Sequence, residues 1–183
     1  MPEPPFCVVL ARYGAAPQVA RFAINESLHG EISQQLVRGA NLVVQTDRGP
    51  ELSSLLEVVR KGIESEEKPV TGDVLRLATD TDQSIHADRR KQADLEFFEW
   101  QSRLDEWQLQ LQLIDLEWTL DGEQLILYVL NGQDAETTRL ALLAAAAGLG
   151  IIHVQPVAAE GVVQSTGGGG CGSGGCGSGG CSS

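Results

Sequence analysis

No stretch of this 183-residue chain approaches the ~18 consecutive apolar residues that a membrane-spanning helix needs, so no span is expected. The opening MPEPPFCVVL has prolines and an acid but no basic n-region, which argues against a secretory leader and makes the cytoplasm the expected compartment. Of the 4 cysteines only Cys7 precedes residue 171, and in an apolar run it reads as a small buried hydrophobe. Basic residues are scarce towards the end: residues 1–103 carry 12 basic and 16 acidic side chains, residues 104–183 carry 1 and 9, and the net charge is -12. That balance disfavours RNA or DNA held through the phosphate backbone, which needs several Lys or Arg. Arg76, Arg89, Arg90, Lys91 and Arg103 still provide material for a local basic patch. No Ser/His/Asp constellation, P-loop or dinucleotide glycine motif is found, and the tail glycines follow no strand. His29, in a polar loop, and His86 have no metal-ligand companions in nearby sequence.

What is there, with 42% hydrophobic residues, is enough for one core, or one core with a small satellite lobe. Residues 6–13 and 19–24 read as strands, and 25–33 as a loop. Residues 36–59 read as a hairpin with its tip at residues 47–50, where Gly49 supplies a positive φ. A charged connector at 61–71 precedes a strand at 74–79, and Asp82 is expected to cap the helix that follows. Over residues 84–107, Ala93, Phe97, Trp100, Leu104 and Trp107 recur at intervals of 4, 3, 4 and 3, which makes one buried helical face.

The stretch LQLQLIDLEWTLDGEQLILYVLN, residues 109–131, is the clearest hairpin. Asp121-Gly122 predicts a two-residue type I′ turn, with Trp118 opposite Leu125, Leu116 opposite Leu127 and Ile114 opposite Val129 on the core face. Asp115, opposite Tyr128, and Glu117, opposite Ile126, lie on the other face. The apolar phase switches between Leu113 and Ile114, which calls either for a β-bulge there or for a strand whose two ends are covered differently. The return strand is apolar on both faces and is expected to be central and covered on each side. A small-residue helix at 135–147 and a last strand at 151–157 complete the pattern.

The blocks GANLVVQTDRGPEL, VLRLATDTD and LIDLEWTLDGEQLILYV, spaced by a long helix, resemble the Psp-one C-terminal domain family, which includes YaaT/RicT-like bacterial regulators of sporulation and competence. The resemblance covers residues 37–155, through Thr46, Arg48, Gly49 and Glu51, then Arg76, Ala78, Thr79 and Asp82, then Asp115, Glu117, Asp121, Gly122 and Tyr128. The chain departs from the sporulation type at Glu99-Trp100, where those members carry a cysteine, at Gln45 in place of an acid, and at Arg139, which only approximates an expected arginine. The resemblance implies a regulator working with protein partners, with links to RNA processing and to iron-sulfur clusters shared with partners. Asp115 and Glu117, about 7 Å apart on one face of a strand, offer a pair for acid-base chemistry. They equally offer partners to Arg48 and Arg76, and a recognition or structural network of these four is the expected use.

Residues 158–183 are rich in Gly and Ser, and this composition predicts a disordered tail. Its Cys171, Cys176 and Cys181 repeat every five residues, a spacing that is not the CxxC of a structural zinc site. Three thiolates nonetheless offer zinc or an iron-sulfur cluster a ligand set if a fourth comes from elsewhere. The expected architecture is α+β: a β-rich segment at 1–36, a mostly antiparallel sheet with a central β-hairpin and two packed helices at 37–157, and the tail. The expected role is a non-enzymatic, cofactor-free adaptor for protein partners. Direct RNA binding and cluster carriage through the tail are the alternatives.

Overall fold

The computed structural model describes residues 7–59, 69–132, 134–159 and 161–163. The fold is α+β with a β-rich N-terminal region, and six of the eight described strand pairings are antiparallel. Strands β1 (Cys7–Tyr13), β2 (Gln18–Ile24), β3 (Asn41–Thr46), β4 (Gly49–Val59) and β5 (Gly72–Leu77) close into a barrel in the order β1-β2-β5-β3-β4. Closure removes the free edges that an open sheet would present. The period-two alternation of each strand turns Val9, Ala11, Phe22, Ile24, Leu42, Val44, Leu55 and Val74 inward as one core. The expected boundary between residues 36 and 37 falls between β2 and β3 of this one closed sheet.

Residues 26–32, expected as loop, form a short helix, α1 (Glu26–Ile32). Asn25 caps it by accepting the Leu28 N–H at 2.8 Å, and Ile32 anchors it as its buried residue. Seven residues with Gly30 among them are too few to give a helical period, so capping and packing decide the structure.

Helix α2 (Asp80–Glu106) leads out of the barrel and starts four residues earlier than expected. Thr79, not Asp82, is its N-cap, and Asp82 is the third helical residue, completing a capping box with Thr79. The predicted stripe is the buried one: Ala93, Trp100 and Leu104 are in the core, with Phe97 and Trp107 packed at its margin.

Strands β6 (Gln112–Trp118), β7 (Gln124–Leu130), β8 (Ile151–Ala158) and β9 (Gly161–Val162) form a second sheet in that order. Helix α3 (Asp134–Ala146) makes the crossover between β7 and its parallel neighbour β8. Leu116, Leu125, Leu127 and Val129 meet α2 on one face, together with Leu140 and Ala144 of α3. Ile126 and Tyr128, which point the other way, are also fully buried, because two turns of the barrel cover that face. Strand β7 is thus central and covered on both sides.

The bulge lies where the phase switch placed it, between Leu113 and Asp115, so Leu113 and not Ile114 opposes Val129, while Ile114 is 43% exposed. The expected pairs Trp118–Leu125, Leu116–Leu127, Asp115–Tyr128 and Glu117–Ile126 are all present. The turn itself differs. Only Gly122, at φ 74°, has positive φ, while Asp121 accepts the Thr119 hydroxyl at 2.6 Å and the Glu123 N–H at 3.0 Å. Thr119 N–H pairs with the Gln124 carbonyl at 3.0 Å, closing a loop wider than two residues. Local hydrogen bonding by Thr119 and Asp121 outweighs the type I′ preference of Asp-Gly.

Candidate functional site

The β3–β4 turn carries Thr46, Arg48, Gly49 and Glu51 to the junction between barrel and sheet. Gly49 has φ 130°, and a Cβ there would sit 3.2 Å from Thr119 Cγ2, so the turn and its fit against the second sheet both call for glycine. Thr46 Oγ1 accepts the Arg48 N–H at 3.1 Å and donates to Glu51 Oε1 at 2.6 Å. Arg48 donates twice to Glu51, Nε to Oε1 at 3.1 Å and Nη2 to Oε2 at 2.8 Å. Its Nη1 donates to the Tyr128 hydroxyl at 3.2 Å, and its guanidinium stands 5.3 Å over the Tyr13 ring. The Tyr128 hydroxyl donates to Glu117 Oε2 at 2.7 Å, and the same oxygen accepts the Ala15 N–H at 2.8 Å. A continuous chain of polar contacts therefore links both barrel turns to β6 and β7.

Burial sets the electrostatics. Arg48 and Glu51 are only 2% and 3% exposed. For Arg48, burial opposes the charge, but Glu51, Tyr128 and Glu117 outweigh it and hold the guanidinium above its ordinary range. Burial pushes the Glu51 carboxyl up to about 7, with Glu117 adding to the rise and Arg48 and Thr46 opposing it. Burial, reinforced by the Glu117 charge, also raises the Tyr128 hydroxyl, which stays a donor. His153 on β8 is lowered by burial and then by Arg48, so it is kept neutral.

The four-residue network expected from the sequence divides into three. Arg48 and Glu117 are joined through Tyr128. Arg76 instead pairs with Asp82, its Nη2 donating to Oδ1 at 2.8 Å and its Nη1 engaging Oδ2. Asp115 accepts Arg90 Nη1 at 2.9 Å, and Arg90 also reaches Asp94 at 2.8 Å. The reason is local: Arg76 and Asp82 flank the start of α2, and α2 lies along β6 with Arg90 beside Asp115. Arg139 donates to the Trp107 carbonyl at 3.2 Å, at the end of α2.

Beside the junction lies a cleft of about 430 Å³, whose walls include Arg12 of β1, His86, Arg89 and Arg90 of α2, and Asp115 and Glu117 of β6. Sequence reasoning singled out neither Arg12 nor this meeting of β1 with α2, since 74 residues separate Arg12 from His86 and no local pattern links them. It read the outward face of α2 as solvated and passed over two apolar residues on it. There Leu95 is 83% and Phe98 74% exposed, one turn apart and opposite the buried stripe. Around them stand the exposed acids Asp88, Asp94, Glu99, Asp105 and Glu106. Phe97 meets Phe98 edge-to-face at 5.7 Å between centroids and fixes its orientation.

Among the described residues no group of three or more His, Cys, Asp or Glu is placed to hold a metal. Cys171, Cys176 and Cys181 lie outside the described residues. No described helix is long and apolar enough to cross a membrane. Comparisons with family models, with curated proteins and with solved structures return no match, so the Psp-one resemblance rests on the residues quoted above.

Proposed function

We propose that this protein is a non-enzymatic cytoplasmic adaptor that acts through protein contacts, and that the outward face of α2 is its contact surface. The observation that carries the reading is the pair Leu95 and Phe98, exposed together on a helix whose other face already fills the core. Two large apolar side chains one turn apart are the anchors of helix-in-groove recognition. Asp88, Asp94 and Glu99 are matched by Lys91, Arg90 and Arg103 of the same helix, so Asp105, Glu106 and the net charge of -12 are what favour a partner whose apolar groove is edged by Lys and Arg. The net charge disfavours nucleic acid, which ranks RNA binding second. The Psp-one resemblance supports assigning such an adaptor to a complex for RNA processing or developmental regulation. A non-catalytic role is further supported by the acid pair, which has structural partners: Asp115 is engaged by Arg90, and Glu117 by Tyr128 and Ala15.

The test is affinity capture from native extract with the full chain and with a Leu95→Ser/Phe98→Ser variant. A specific protein retained by the parent after ribonuclease treatment and lost with the variant is the expected result. Capture unchanged by the two substitutions, or a bound RNA whose affinity falls steeply with salt, would overturn it.

A further inference from the structure

We propose that the cleft between β1, α2 and β6 binds a small phosphate ester carrying a hydroxyl group. Its volume of about 430 Å³ falls in the range of small-molecule sites, and it lies where two structural units meet. Arginines reach it from two elements, Arg12 from β1 and Arg89 and Arg90 from α2, and His86 joins the latter two at spacing i, i+3, i+4 on one helical face. Arg90 is already occupied, by Asp115 at 2.9 Å, the Leu116 carbonyl at 3.2 Å and Asp94 at 2.8 Å. Arg12 and His86 have no hydrogen-bond or ion-pair partner among the described residues. Arg89 touches only neutral acceptors, Gln92 Oε1 at 3.0 Å and the Asp121 carbonyl at 3.4 Å. Two guanidinium groups therefore line the cleft with no carboxylate bonded to them, in a chain of net charge -12.

The match in charge is to phosphate. A phosphate monoester carries about -1.5 to -2 near pH 7 and presents three acceptor oxygens, while a single carboxylate would answer only one of the two arginines. Arginine forks suit the tetrahedral oxygens, and His86 adds a donor. The acidic wall sets the rest of the ligand. Glu117 uses Oε2 for Tyr128 and Ala15 and Asp115 uses Oδ1 for Arg90 and the Leu116 N–H, leaving Oε1 and Oδ2 as acceptors for ligand hydroxyls.

The test is calorimetric titration of the full chain with ribose 5-phosphate at low salt, alongside inorganic phosphate, ribose and succinate. The expected result is one saturable site for ribose 5-phosphate, weaker binding of inorganic phosphate and of succinate, and none of ribose. Arg12→Gln and Arg89→Gln should each weaken binding at least tenfold, and Arg12→Gln should leave the unfolding midpoint unmoved, since Arg12 is exposed and bonds to no described residue. Leu95→Ser/Phe98→Ser should leave binding intact, which separates this site from the contact face on α2. Absence of ribose 5-phosphate binding, equal binding of succinate, or full affinity in the Arg12→Gln/Arg89→Gln variant would overturn the proposal.

Discussion

Arg48 donates to the Tyr128 hydroxyl at 3.2 Å, and this one bond fastens a barrel turn to the middle strand of a sheet 80 residues further along the chain. Tyr128 is fully buried, so Tyr128→Phe keeps the packing and removes only the hydroxyl. One donor of Arg48 and one acceptor position of Glu117 are then left unmatched, at a cost of roughly 1–3 kcal/mol. Arg48→Met should cost more, about 3–5 kcal/mol, because it strands Glu51 without its counter-charge. Urea denaturation followed by tryptophan fluorescence reads both, and a Tyr128→Phe variant as stable as the parent would refute the first.

How far this junction could be read from sequence depended on range. Within the β6–β7 hairpin the Asp121-Gly122 turn placed the register correctly from Trp118–Leu125 to Asp115–Tyr128 but not at Ile114, and the phase switch at Leu113 to Ile114 marked the site of the bulge, since one buried face cannot run through it. The α2 stripe was legible for the same reason. Arg48 and Glu117 were visible as candidates, but their link through Tyr128 depends on how the barrel docks against the sheet, and no local pattern encodes that. Arg76 and Asp115 were grouped with them by charge alone, whereas in the fold each takes the nearest opposite charge on α2.

Glu51 should give the junction a pH dependence. Its folded carboxyl is raised to about 7 from an ordinary value of 4.5, so the folded state holds the proton more tightly than the unfolded chain does. Its stabilising contribution is therefore complete below about 4.5 and is lost as pH rises through about 7. His153 acts in the opposite sense: its lowered value means that stability is lost as pH falls below the ordinary 6.5. The raw profile mixes the two, so the informative quantity is the difference between parent and Glu51→Gln across pH 4.5 to 8. The parent should lose stability relative to the variant as pH rises, and parallel profiles would contradict the assignment.

The start of α2 should fail in acid. Asp82 is held well below the usual carboxylate range by Arg76, with burial opposing and the Thr79 N–H and hydroxyl adding to the depression. Its contribution is present above about pH 4 and is lost as pH falls towards the folded value. Thr79→Ala removes half of the capping box and should cost ~1 kcal/mol. Asp82→Ala also frees Arg76 and should cost at least as much at pH 7, with the gap from the parent narrowing towards pH 2. A gap that does not narrow would mean that the Asp82 charge contributes nothing.

Gly122 ties the turn of the central hairpin to the cleft. It sits at φ +74°, and a Cβ there would lie 2.1 Å from Arg89 Nη2, so alanine meets both backbone strain and the guanidinium. The strain alone costs roughly 1–2 kcal/mol for a residue with a Cβ. The clash involves the far end of a flexible side chain, so Arg89 should swing aside while the backbone stays in place. Gly122→Ala should therefore destabilise the fold by about that strain cost and also weaken ribose 5-phosphate binding, since Arg89 leaves its place on the cleft wall. A cycle with Arg89→Ala separates the two effects. With Arg89 absent, Gly122→Ala should still lower the unfolding midpoint but should cause no further loss of binding. If Gly122→Ala reduces binding equally with and without Arg89, the turn acts on the cleft by another route and Arg89 has no part in it.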